Sequence, residues 1–184
     1  DHRHGIIHDC LPTPEGIAVC RDYHIQMPMQ SAFIGWKQEP DDYLERILGH
    51  DRLEKLNPIR TFRDNGIMVS FGSDAPCTTP DPIAWMDRAV NNGNAGQAVS
   101  VQDALRMCTY NGAWAAFDEQ ERGSLEAGKI ADMAVLSENP YTVPKDKLSC
   151  LRVEGLYLSG KPYESCRENI LPMMLRGLTS RNKA

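Results

Sequence analysis

The stretch GIMVSFGSDAP, residues 66–76, decides the fold. Its first half is apolar and partly alternating, the pattern of a buried strand, with Gly66 opening it. Its second half is a turn punctuated by glycine and proline, so Asp74 falls where a strand runs out into a loop. In folds built from parallel strand and helix units, ligands and catalytic groups collect at that carboxyl end of the strands. An aspartate there has three available roles: metal ligand, general base, or cap of the next helical turn.

The residues around it repeat the same alternation. GIIHD (5–9) has the pattern of a short strand, and TPEGIAVCRDY (13–23) that of a helix opening at Thr13 with Pro14 and Glu15 in its first turn. HIQMPMQSAF (24–33) is strand-like. PDDYLERILG (40–49) carries Tyr43, Leu44, Ile47 and Leu48 at helical spacing and ends at Gly49. NPIRTFRDNG (57–66) predicts a helix with Asn57 as cap and Pro58 at its first position. Beyond Asp74, Asp81 and Pro82 open another helix, and SVQDALRMCTYNGAWAAF (100–117) starts with a Ser100–Asp103 capping box and breaks at Asn111 and Gly112. Strands alternating with helices predict an α/β chain with a parallel sheet.

From Gly123 the texture changes. GSLEAGKIADMAVL (123–136) predicts a short strand, a tight turn at Ala127 and Gly128, and a second strand. CLRVEGLYLSGKPY (150–163) alternates around a turn at Glu154 and Gly155 and turns again at Ser159 and Gly160, which is antiparallel β structure. ENILPMMLRGLTSRNKA (168–184) is a short apolar segment with a basic end.

Composition narrows the function classes. The 184 residues are 41% hydrophobic and 24% charged with net charge −5, which fits one soluble domain or a domain and a half. Without a basic patch the acidic balance argues against nucleic acid as partner. No apolar run approaches the roughly 20 residues that cross a bilayer, and DHRHGIIHDC at residues 1–10 lacks a signal peptide's basic start and apolar core. Six cysteines without a CxxC pair point to a reduced, cytoplasmic compartment. Cys108 on a helix face and Cys150 in a strand are expected to be small buried apolar residues, and Cys77 follows the Asp74 turn.

His8 ends its strand much as Asp74 ends its own, so in one parallel sheet both side chains reach the same rim. Imidazole and carboxylate both suit zinc, and together they make a partial metal site. A core histidine plus a helix cap is the alternative.

The residues now carry a resemblance. GSLEAGKIADMAVLSENP (123–140) resembles the closing signature of the amidohydrolase superfamily, where a strand pair after the barrel returns to a small β-sandwich. FGSDAPCTTPDP (71–82) resembles the eighth-strand aspartate turn of the YtcJ-like and AepA-like branch, amidohydrolase family 3, and GIIHDC (5–10) its fifth-strand histidine. LNPIRTFRDNG (56–66) is similar to the arginine-bearing helix before strand eight. The resemblance implies metal-dependent hydrolysis of an amide-type C–N bond in a small-molecule substrate, with zinc or another divalent ion as cofactor. His8 would be a metal ligand, and Asp74 would bind metal and accept a proton from the attacking water. Arg60 would hold an anionic part of the substrate, and Phe33 and Trp36 would line its pocket.

Departures from the family pattern bound this. His2-Arg3-His4 spells the first-strand pair but has only Asp1 before it and lies four residues from His8 rather than far upstream of it, so it is a lookalike. The bridging residue of the fourth strand has no counterpart, and Phe33 stands near the position of a sixth-strand histidine. A (β/α)₈ barrel takes about 250 residues. The pattern therefore predicts its C-terminal part: residues 1–121 as the second half of the barrel (strands five, six and eight, with a short seventh near Leu56), and residues 122–184 as a β-sandwich segment and tail. Such a piece is expected to be inactive alone and to form a homo-oligomer or associate with a missing N-terminal part. The rival expectation is a non-catalytic binding or regulatory module on the same scaffold.

Overall fold

Helix starts are set by short polar side chains. Thr13 is extended and its hydroxyl accepts the Gly16 N–H at 3.1 Å, opening α1 (Pro14–Asp22). In the computed structural model, which describes residues 2–163, the chain continues through β1 (Met27–Met29), a 3₁₀ turn (Ser31–Phe33) and helices α2 (Asp41–Leu48), α3 (His50–Leu53) and α4 (Ile59–Asp64). Glycine at φ +79° separates α2 from α3 at Gly49, and Gly66 at φ +74° turns the chain from α4 into β2 (Val69–Phe71). Asp81 caps α5 (Pro82–Val90) by accepting from Ile83 N–H, and a Ser100–Asp103 capping box opens α6 (Val101–Cys108), followed by α7 (Tyr110–Ala115).

Three extended runs lie side by side and parallel. β1 pairs with β2 in the register Met27–Val69, Pro28–Ser70, Met29–Phe71. On its other side β1 receives residues 4–8: Gln26 N–H donates to His4 O at 2.8 Å, Ile6 N–H to Gln26 O at 3.0 Å and His8 N–H to Pro28 O at 3.4 Å. β1 is thus the middle run, with the His8 run and β2 as its flanks.

The two faces of β1 differ, because successive side chains point to opposite sides. Met27 and Met29, with Val69, pack into a core shared with Ile59, Phe62, Met86, Ala89, Ala104 and Met107 of the helices. The other row is Gln26, Pro28 and Gln30, with Ser70 and Gly72 beside it, so the face turned from the helical core is small and polar. The last part is a three-stranded antiparallel sheet in the order β3 (Met133–Leu136), β4 (Val153–Leu158), β5 (Lys161–Pro162).

Several expectations are corrected. No strand forms near Leu56, which lies in a turn after α3, and β1 pairs directly with β2, leaving no place for a strand between them. Asn57 caps nothing: it sits at φ +50° with its N–H bonded to Cys10 O, and Pro58 precedes α4 without a side-chain cap. The break after α6 falls at Thr109, while Asn111 and Gly112 are helical in α7. Residues 124–130 form turns rather than a strand. Glu154 and Gly155 run through β4, since pairing with β3 outweighs their turn tendency. Cys150 ends a 3₁₀ helix (Lys145–Cys150) and is exposed. The apolar segment 168–184 lies outside the described residues.

Candidate functional site

His8 and Asp74 come from the two flanking runs and meet across the carboxyl end of β1, with His8 Nε2 3.6 Å from Asp74 Oδ2. Their side chains are 39% and 42% exposed, so the pair is open to a ligand. Both residues have left-handed backbone, φ +65° at His8 and φ +53° at Asp74, a conformation uncommon away from glycine and concentrated at functional positions. The Asp74 turn closes with Cys77 N–H donating to Asp74 O at 2.8 Å. Capping in this stretch belongs to Asp81, so Asp74 is free of that role.

Phe33 stacks on the His8 ring at 5.7 Å and 17°, and Trp36 lies 5.0 Å beyond Phe33. This places two of the expected substrate-lining residues beside the pair. A cavity of about 510 Å³ adjoins Phe33, lined also by Leu44, Leu53, His50, Arg88 and Asn92. Arg60 is not brought there: it lies on the exposed side of α4, paired with Asp64 at 3.3 Å.

The donor atoms fit one divalent ion in part. Zinc takes imidazole nitrogen and carboxylate oxygen at roughly 2.0–2.2 Å, so atoms 3.6 Å apart can share an ion, while that separation is too long for a hydrogen bond. Among the described residues no group of three or more His, Cys, Asp or Glu assembles, so His8 and Asp74 supply only part of a coordination shell. Desolvation and then the neighbouring Asp74 carboxylate raise the Cys77 thiol, which disfavours the thiolate a metal would need. Burial pushes the Cys108 thiol, in α6, up to about 12.

His2 and His4 stack on each other at 4.5 Å at the amino-terminal end of their run, the opposite end from His8. No motif marks Gln30, which ends the middle run with only 7% of its surface exposed and its Oε1 unpaired. The legible signal is a pair of glutamines, Gln26 and Gln30, four residues apart and so on one strand face of an otherwise apolar stretch.

Comparison with known proteins follows the same lines. A family model described as "Amidohydrolase family" matches residues 1–163. The chain is 36% identical over 132 residues to an N-substituted formamide deformylase of Arthrobacter pascens, covering 68% of this chain and 22% of that protein. It is 29% identical over 124 residues to the Bacillus subtilis (strain 168) protein YtcJ, named as an amidohydrolase, covering 62% of this chain and 23% of that protein. The chain thus spans less than a quarter of the length of these relatives. An uncharacterized metal-dependent hydrolase from Pyrococcus horikoshii OT3 shares the fold, with TM-score 0.67 and 23% identity over 78% of this chain and 30% of its own. The match over residues 1–163, on a chain whose histidine and aspartate meet at one rim, places this protein in the amidohydrolase family.

Proposed function

We propose that this chain is the closing part of a metal-dependent amidohydrolase that cleaves an amide-type carbon–nitrogen bond of a small molecule. The observation that carries the proposal is the meeting of His8 and Asp74, 3.6 Å apart, across the carboxyl end of a parallel run. Residues 1–121 are then the end of a (β/α)₈ barrel and residues 122–184 a sandwich segment. If β2 is the eighth strand, direct pairing makes β1 the seventh and the His8 run the sixth. His8 then occupies the place of a sixth-strand histidine, and Phe33 is an aromatic wall after strand seven. Further chain, or a second copy, would cover the outer edge of residues 4–8, where Ile6 and Ile7 are 42% and 60% exposed.

The chemistry a bound zinc or similar ion supplies is Lewis acidity and a water of lowered pKa. His8 Nε2 and Asp74 Oδ2 would hold it, with the imidazole oriented by its stack on Phe33. The second task of Asp74 is to accept, at a carboxylate oxygen, the proton that leaves the attacking water. Phe33 and Trp36 would wall one side of the site. Arg60, paired with Asp64 on the exposed side of α4, is given no part in holding the substrate.

The test uses the natural full-length protein and its His8→Ala and Asp74→Asn variants, measuring bound zinc and hydrolysis of a panel of simple amides. Removing even an outer partner of a metal ligand costs about 10- to 100-fold in affinity or activity, so losing a ligand should cost at least about 100-fold. Unchanged zinc content and turnover in both variants would refute the assignment.

A further inference from the structure

Gln30 follows Met29 at the carboxyl end of the middle run, the end across which His8 and Asp74 meet. Its backbone is fixed: Phe33 N–H donates to Gln30 O at 3.0 Å, and the next residue, Ser31, donates its hydroxyl to Trp85 O at 2.9 Å. Its side chain is 93% buried by its 7% exposure, yet Oε1 has no hydrogen-bond partner. Buried carboxamides are nearly always paired, and a methionine such as Met27 or Met29 would fill the same space without an unmet acceptor. Gln26, four residues earlier on the same face, shares the unpaired Oε1 but differs in place and anchoring: it lies at the opposite end of the run from His8 and Asp74, and its Nε2 donates to Arg3 O at 2.7 Å. Across from Gln30 stands Gly72, where even an added Cβ would meet Gln30 Nε2 at 3.8 Å, an ordinary contact, so the carboxamide is not clamped on that side.

We propose that Gln30 is a substrate-binding residue whose Oε1 accepts the N–H of a secondary amide while the carbonyl of that amide faces His8 and Asp74. The proposal rests on the metal-site reading above and sharpens its substrate class. Secondary amides are favoured, and amides with a fully substituted nitrogen are rejected because they leave the glutamine acceptor unmet.

The experiment is a ligand-observed NMR titration of the zinc-loaded full-length protein with N-methylbenzamide and N,N-dimethylbenzamide, which differ by one N–H. Wild type should bind the first about tenfold more tightly, the worth of one hydrogen bond, and Gln30→Met should bind the two alike with zinc content unchanged. Should Gln30→Met fail to fold, Gln30→Leu, which also removes the acceptor, should shrink the same preference. A preference retained in these variants, no preference in wild type, or binding of neither amide overturns the proposal. Zinc content of His8→Ala separates the two levels. Its loss alongside undiscriminating amide binding removes the glutamine role alone, and its retention alongside a Gln30-dependent preference removes the metal role alone.

Discussion

Arg3 donates to both carboxylate oxygens of Glu119, at 2.8 and 2.7 Å, while its guanidinium lies 4.3 Å from the ring centres of both Trp114 and Phe117. The same side chain also donates to Trp114 O. This two-pronged pair joins the run that carries His8 to the segment after α7, and its two sides are each only 10% exposed. The hydrogen bond from Arg3 holds the Glu119 carboxyl at about 2, below its ordinary 4.5. Because the folded value is depressed, the pair's stabilisation is complete above about 4.5 and is lost as the pH falls toward about 2. Thermal unfolding of wild type and Glu119→Gln across that range should show a gap in Tm that closes as the solution is acidified. A gap independent of pH would show that the carboxylate charge is not what Arg3 uses.

Asp81 and Asp74 belong to one stretch but have separable roles. Asp81 accepts from Ile83 N–H at 3.0 Å and Ala84 N–H at 3.3 Å. Asp81→Ala should therefore lower stability to urea by about 1 kcal/mol with bound zinc unchanged. On the proposed metal role, Asp74→Asn, which tolerates the left-handed backbone, should do the reverse: zinc lost, with the metal-free variant within about 0.5 kcal/mol of metal-free wild type.

Asn111 ties α7 to β2. Its buried Nδ2 donates to Val69 O at 2.6 Å. Asn111→Leu removes that donor and leaves a buried carbonyl unmet, so the urea unfolding free energy should fall by about 1–3 kcal/mol. A stability unchanged by the replacement would mean that the carbonyl finds another donor.

Phe62 of α4 is fully buried in the core under β1 and β2. Phe62→Ala should lower the unfolding free energy by about 3–5 kcal/mol, read from the urea midpoint at constant slope. A loss below about 1 kcal/mol would mean that the core closes over the cavity.

The parts of the fold that were legible in the residues are those with local causes. Thr13, Asp81 and Ser100 each cap a helix through a side chain two or three residues from its target, and Gly49, Gly66 and Gly160 turn the chain at positive φ. Equally local signals failed where distant partners outweighed them. Gly155 joined a strand because Val135 pairs with it, Asn57 gave its N–H to Cys10 and no cap to α4, and Asn111 continued a helix because Val69 accepts its amide.

His8 and Asp74 were legible as residue types at strand ends, and the family resemblance attached a chemistry to them. Their approach to 3.6 Å was not, because it depends on which strands are neighbours. A strand expected near Leu56 would have stood between β1 and β2 and altered the numbering of every run before it. Only the backbone pairing of Met27 with Val69 removes it. By itself the sequence determined the alternation of strands and helices, their caps, and the family, since these rest on neighbouring residues and on motifs. Strand order, the polar face of β1, and the unmet acceptor of Gln30 were decided by tertiary structure, because hydrogen-bond partners and burial are properties of residues far apart in the chain.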